Sequence, residues 1–382
     1  MSYANLVGAA MIPMGKYPNA SYSGLAVPAV LNALRSAGID ANEIESVVCG
    51  HAFGGMLTAQ RIAKEVGIGR VPMINVDNAC SGGATALHQA AKDILAGRHD
   101  IVLVIGVDKL TQFGGGVLPL VAEDPEVQAG MVMPALYAMR ARRYLHERGV
   151  DASTLAGVSV KSRRHGAKNP YAQYRKEVSV EEVLTSRPIA DPLTLFQCCP
   201  TGDGAAALVV VSERVRQRLR RPTVRIRASV LHSGQATSGY RDMLDPEITR
   251  HSASDAYEAA GIGPEDLDLV ELHDAFSIAE LVYYEALGLC APGESAGYLR
   301  DGRSTYGGDV VVSPSGGLLS KGHPVGASGV AQAVELYWQL TGQAGQRQVE
   351  SARLGLSHVT GGGVAGMDHG ACTVHIYERI AP

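Results

Sequence analysis

The stretch Ser36–Phe53 (SAGIDANEIESVVCGHAF) lines up without a gap on Ala259–Phe276 (AAGIGPEDLDLVELHDAF), with about a third of the positions identical. In both copies a helix is expected to end at a glycine, Gly38 or Gly261. An acidic turn follows, and a short apolar strand then runs into a small-residue loop ending in Ala-Phe. A chain that repeats itself in this way is expected to build two halves of one design.

The repeat continues more faintly. Met73–Val76, a helix from about Gly83 to Ala96 and a strand at Ile101–Ile105 face a Gly-rich loop, a helix from about Ala327 to Leu340 and a strand at Arg353–Ser357. Strands alternating with helices predict an α/β fold of two similar layered halves. Leu118 to about Arg187, rich in Arg and Tyr and helical in pattern over Pro134–Arg148, interrupts the repeat. It reads as an inserted loop subdomain. The expected division is 1–117 with 188–222 for the first half, 118–187 for the insert and 223–382 for the second half.

The 382 residues, 46% of them hydrophobic, suffice for two domains with a large core. Lys and Arg (34) nearly balance Asp and Glu (38), and no long run of one sign would track a nucleic-acid backbone, so nucleic acid is not an expected partner. The start lacks a positive region leading into an apolar stretch, and no segment of about 18 residues is apolar and uncharged. Ile380-Ala381-Pro382 is not a Ser-Lys-Leu address. The expectation is a cytoplasmic protein without a membrane partner. The six cysteines, at 49, 80, 198, 199, 290 and 372, form no C-x-x-C pair. They predict free thiols, no metal site and at most one reactive sulfur, the rest filling core.

That sulfur is Cys80. It follows a strand and the polar Asp77-Asn78-Ala79 and precedes Ser81-Gly82-Gly83-Ala84 and an amphipathic helix. A helix N-terminus favours a thiolate and predicts a lowered pKa. His323, fixed by Pro324 and surrounded by glycines, is presented to take a thiol proton or to donate to an oxyanion. His273 ends the second-half repeat strand where the first half has Gly50, which suggests a role gained by one half. Gly361–Gly366 matches G-x-G-x-x-G, but no βαβ unit follows it. A turn aiming backbone N–H groups at an oxyanion fits better. No G-x-S-x-G elbow, H-E-x-x-H helix or Walker loop occurs.

Together, Asn78-Ala79-Cys80-Ser81-Gly82-Gly83, His273-Asp274-Ala275-Phe276 and Gly322-His323-Pro324-Val325-Gly326-Ala327-Ser328-Gly329 resemble the thiolase family, whose duplicated layout the repeat shares. The His-Asp-Ala-Phe form and Lys161–Pro170 (KSRRHGAKNP) resemble the sterol-carrier-protein-type and archaeal acetoacetyl-CoA thiolase branch. The resemblance implies a five-layer α-β-α-β-α fold and a transfer of acyl groups through Cys80. His323 would activate Cys80 and line an oxyanion hole with His273. The N–H of Cys80 and of a glycine in 361–363 would form a second hole. Coenzyme A would come as substrate rather than as a resident cofactor, touched by Gly361, Gly362, Ser233 and the insert. Relatives in this branch are homodimers or homotetramers, and some join a small acyl-CoA-binding partner with a zinc ribbon and an OB fold.

One departure stands out. Many thiolases carry a second cysteine in a Cys-x-Gly motif where this chain reads His358-Val359-Thr360-Gly361, and Ala275 occupies the other known place for it. His358 is a candidate substitute base; alternatively His323 or His273 serves both half-reactions. The leading reading is a 3-ketoacyl-CoA thiolase or acetyl-CoA acetyltransferase. The alternatives are an aldolase or lyase acting without a covalent intermediate, with Tyr306 as its acid/base, or a subunit of a multi-protein acyl-CoA complex.

Overall fold

The structure, a computed structural model, describes residues 3–219, 221–236 and 241–380. The strands are β1 (Ala4–Met11), β2 (Ser46–Gly50), β3 (Met73–Val76), β4 (Ile101–Lys109), β5 (Pro188–Ala190), β6 (Leu193–Thr194), β7 (Asp203–Ser212), β8 (Thr223–His232), β9 (Leu269–Glu271), β10 (Val311–Val312), β11 (Leu354–Gly361) and β12 (Ala371–Ile380). Apart from the small β5–β6 ribbon, they form one ten-stranded sheet in the order β10-β9-β11-β12-β8-β1-β7-β4-β2-β3.

Each half of that order repeats the other. Taken by position along their own half, the strands run third, second, fourth, fifth, first in both. The pairings match as well: β2 lies parallel to β3 and β4, as β9 does to β10 and β11, and the remaining contacts within each half are antiparallel. The halves join where β1 meets β8, Leu6 opposite Val224. β1, β2 and β7 are buried along their whole length, which explains their continuous apolar runs. β10 was read from sequence as part of a Gly-rich loop. It is a two-residue strand held by β9 and too short to leave a pattern.

Helices fill five layers with the sheet. Tyr22–Ala37 and Glu247–Ala260 cover the two outer faces and end, as expected, at Gly38 and Gly261, both left-handed at φ 65° and 66°. Two central helices, Gly82–Leu95 and Val325–Leu340, lie between the half-sheets and touch strands of both. Every residue of Val325–Leu340 is buried, so its apolar character on all sides fits its place. The central helices approach closely at their N-termini because their glycines leave room. A Cβ on Gly83 would stand 2.3 Å from the carbonyl oxygen of Gly326, and one on Gly329 would stand 2.6 Å from the amide of Ala84. This contact brings the two helix starts, and the residues just before them, side by side.

The non-repeated residues between β4 and β7 carry the helices Met133–Arg148 and Ala152–Ala167, which pack on the helix Ser277–Ala286. Among the described residues no helix is long and apolar enough to cross a membrane.

Candidate active site

Cys80 sits just outside the first central helix. Ala79 before it is left-handed, at φ 47°, and the Asp77 carboxylate accepts from the Ala79 N–H at 2.9 Å. A non-glycine residue held there stores about 1–3 kcal/mol of strain, a feature common at functional sites. Asn78 Nδ2 donates to Thr85 Oγ1 at 3.0 Å, fastening the loop to the helix it precedes.

His323 stands at the corresponding point before the second central helix, its Nε2 3.3 Å from Cys80 Sγ. The other ring nitrogen fixes the tautomer. Ser328 Oγ donates its single proton to the carbonyl of Pro324 at 3.0 Å, so at 2.7 Å it accepts from His323 Nδ1–H. Nε2 is therefore bare and aimed at the thiol, as a general base requires.

His273 joins this pair. Its ring meets that of His323 edge-on at 5.1 Å between centroids, and one ligand-type atom from each of Cys80, His273 and His323 lies within 4.8 Å of the others. Four side chains set this geometry from behind. Gln332, on the second central helix, donates to the carbonyls of Leu272 and His358 at 3.1 and 3.3 Å. Asp274 accepts from the Leu318 N–H at 2.7 Å, and Glu271 accepts from the Ser315 N–H at 2.9 Å, tying the end of β9 to the loop that leads to His323. Asp108, at the end of β4, accepts from the N–H groups of Ala52, Phe53 and Gly326, the last at 2.6 Å within the turn after His323. None of these four was given a role from sequence, although Asp274 stands in the His273 motif. A polar residue closing an apolar strand, as Asp108 closes Ile101–Val107, was the available signal.

The electrostatics correct one expectation. Cys80 is half-buried, and desolvation pushes its thiol up to about 12 against the N–H groups of Gly362 and Cys80 itself, which donate toward the sulfur. Asp108 and Asp77 add to the rise. The helix field does not prevail because Cys80 lies outside the helix, which starts at Gly82 with Ser81 as its cap. Burial, aided by Lys321, pulls His323 down to about 3, and burial likewise drives His273 well below its ordinary value. The resting pair is thus a neutral thiol and a neutral imidazole, and the proton moves only as the sulfur attacks.

Gly361 and Gly362 lie where the second oxyanion hole was expected. A Cβ on Gly361 would stand 2.1 Å from the Asn78 carbonyl, and Gly362, at φ 59°, turns its N–H toward Cys80. Ser233 is exposed just after β8, and the next residue, Gly234, donates to the His369 carbonyl at 3.0 Å. His358 is fully buried, with Nε2 3.0 Å from Thr249 Oγ1 and its ring 4.5 Å from that of Tyr283, and it lies close enough to His273 to help hold that ring neutral. Tyr306 is engaged elsewhere, its hydroxyl donating to the Arg347 carbonyl at 2.8 Å. The Lys161–Pro170 segment braces the His323 loop: His165 Nδ1 bonds the Ser313 carbonyl at 3.0 Å and Asn169 donates to that of Ser315 at 2.8 Å.

Comparison with known proteins agrees with this geometry. The family descriptions "Thiolase, N-terminal domain" and "Thiolase C-terminal domain-like" match residues 4–214 and 229–374. A benzoylsuccinyl-CoA thiolase subunit, BbsB, of Thauera aromatica is 46% identical over 90% of this chain and 92% of its own. An acetyl-CoA acetyltransferase of Methanothermobacter thermautotrophicus is 36% identical over 98% and 99%. The solved Ltp2-ChsH2(DUF35) aldolase superposes at a TM-score of 0.85 with 27% identity, covering 99% of this chain and 98% of that one. With both halves matched and its nucleophile and histidines converging as described, the chain belongs to the thiolase family.

Proposed function

We propose that this acyltransferase makes or cleaves the C2–C3 bond of a 3-ketoacyl-CoA through an acyl-Cys80 intermediate. The observation that carries the reading is the 3.3 Å contact between Cys80 Sγ and a His323 Nε2 left bare by Ser328. In the cleavage direction Sγ attacks C3 while the thiol proton passes to His323. The new C3 oxyanion faces the N–H groups of Cys80 and Gly362, one just before the first central helix and one in the turn after β11, a pair of donors suited to negative charge. Its collapse breaks C2–C3, leaving the acyl group on sulfur and the electron pair on C2 as a thioester enolate. His273 and protonated His323 stabilise the enolate oxygen, and C2 takes the proton from His323. Coenzyme A then gives its thiol proton to His323, attacks the acyl carbonyl and displaces Cys80 as a thiolate, which takes that proton back from His323. Condensation is the reverse. One histidine thereby serves both half-reactions, and no second cysteine is required.

The Thauera relative extends the proposed substrates from acetoacetyl-CoA to larger 3-ketoacyl-CoA. Coenzyme A is proposed to lie along the insert and Ser233. A homodimer is proposed across β3, an edge strand whose Ile74 is 39% exposed; Met56 and Leu57, in the loop after β2, are 89% and 60% exposed. A small acyl-CoA-binding partner is proposed as well, supported by the subunit nature of BbsB and by the two-component aldolase.

The test is coenzyme A-dependent loss of acetoacetyl-CoA and of longer 3-ketoacyl-CoA, with the shorter acyl-CoA products identified by mass. Turnover of any of them supports the reading. Release of a free aldehyde or ketone without consumption of coenzyme A would replace it with the aldolase alternative.

A further inference from the structure

Arg140, on the inserted helix Met133–Arg148, is 5% exposed, yet its Nε and Nη1 are buried with no hydrogen-bond partner among the described residues. Only Nη2 is engaged, 3.3 Å from Asp368 Oδ1. A buried guanidinium with two idle nitrogens is costly unless an anion completes its shell.

The surroundings tie this charge to the loop that carries His273. The guanidinium lies 5.2 Å from the centre of the Tyr137 ring, which stacks at 4.4 Å on Phe276 of the His273 loop. The Tyr137 hydroxyl reaches His369 Nε2 at 3.3 Å and is near enough to Cys80 for their charges to interact. Tyr283, which also bears on Arg140, bonds Thr360 Oγ1 at 3.2 Å, immediately before the glycine turn that faces the sulfur. The local charges do not cancel. Asp368 is held down at about 2 by His369, Arg140 and Arg241 although burial opposes it, so one carboxylate faces two guanidiniums. Arg241 Nη1 is itself buried without a hydrogen-bond partner among the described residues.

We propose that Arg140 binds a carboxylate on the acyl group, making the substrate class 3-ketoacyl-CoA thioesters that carry a second, free carboxylate. The inference rests on the thiolase reading and adds the substrate's charge to it. An arginine fork with two idle nitrogens suits a carboxylate.

The test compares 3-oxoadipyl-CoA with its methyl ester, which has the same chain without the charge. Wild-type enzyme is expected to favour the acid by about a hundredfold in kcat/KM, the scale of hydrogen bonds to a charged group. Arg140→Gln should bring the ratio near one, and Arg140→Lys should keep part of it. Equal kcat/KM for acid and ester in the wild type would overturn the proposal. So would an Arg140→Gln variant that slows both alike and keeps their ratio, since Arg140 would then be a strut for Asp368. Should Arg140→Gln not fold, the wild-type ratio and Arg140→Lys decide. Failure of the thiolase reading is seen separately, as no acyl group on Cys80 with either thioester or with acetoacetyl-CoA.

Discussion

Cys80 and His323 occupy the same address in the two halves. Each stands two residues before a central helix and three before a glycine, in Gly83-Ala84-Thr85 and Gly326-Ala327-Ser328. Thr85 steadies the loop before the nucleophile, whereas Ser328 sets the tautomer of the base. The loops that follow β2 and β9 diverge in the same manner. Gly50 has no space for a side chain, since a Cβ would stand 2.5 Å from Gly82 and Gly83; its counterpart His273 reaches the site. His51 is buried near Asn75, while its counterpart Asp274 anchors the His323 loop. A duplicated fold thus brings two equivalent helix starts together, and substitution at equivalent points divides the chemistry: the nucleophile from one half, the histidines from the other.

That division can be broken residue by residue. Cys80→Ala should lower thiolysis by more than about 10^4-fold with circular dichroism unchanged; residual turnover near wild type would remove the first half's share. His323→Ala should slow acylation by about 10^3-fold in a single-turnover burst, and Ser328→Ala by about tenfold through loss of the tautomer alone. The loops test the same asymmetry at smaller scale. His273→Ala should cost about 10^2-fold in kcat, and His51→Ala, at the counterpart of Asp274, less than about threefold. Comparable losses from both would mean that the halves share the work.

The acylation rate should also be flat from about pH 8 to pH 10, above the range in which Asp108 and Asp274, pushed up by burial to about 6 and about 7, take on their charge. His323, pulled down by burial, stays neutral until pH falls toward about 3, and Cys80, pushed up by burial, stays a thiol until pH rises toward about 12. A limb at about pH 8.5, the ordinary thiol range, would contradict the neutral pair. The smallest effect on chemistry is expected at His358, where alanine removes the bond to Thr249 and the Tyr283 contact. It should cost about 2 kcal/mol of stability in urea melts and change either half-reaction by less than about threefold.

What the sequence disclosed was local. The repeat, the glycines ending Tyr22–Ala37 and Glu247–Ala260, and the loops carrying Cys80, His273 and His323 are short patterns with their own chemistry. The direction of His358 was not legible, because which face of β11 a residue takes is decided by neighbouring strands and by the helices behind them. The Cys80 pKa misled for a related reason: a helix start can be read from residue types, but the burial that outweighs it is made by the opposite half of the chain. Asp108, Gln332 and Arg140 act across more than fifty residues of sequence, on partners that only the folded sheet brings near.

The most direct measurement is intact-protein mass spectrometry after brief exposure to acetoacetyl-CoA, followed by peptide mapping. One acetyl group on the peptide containing Cys80, absent from Cys80→Ala and slow to form in His323→Ala, is the predicted result. No adduct in folded protein that turns over substrate, or an adduct on Cys49, Cys198, Cys199, Cys290 or Cys372 instead, would contradict the account.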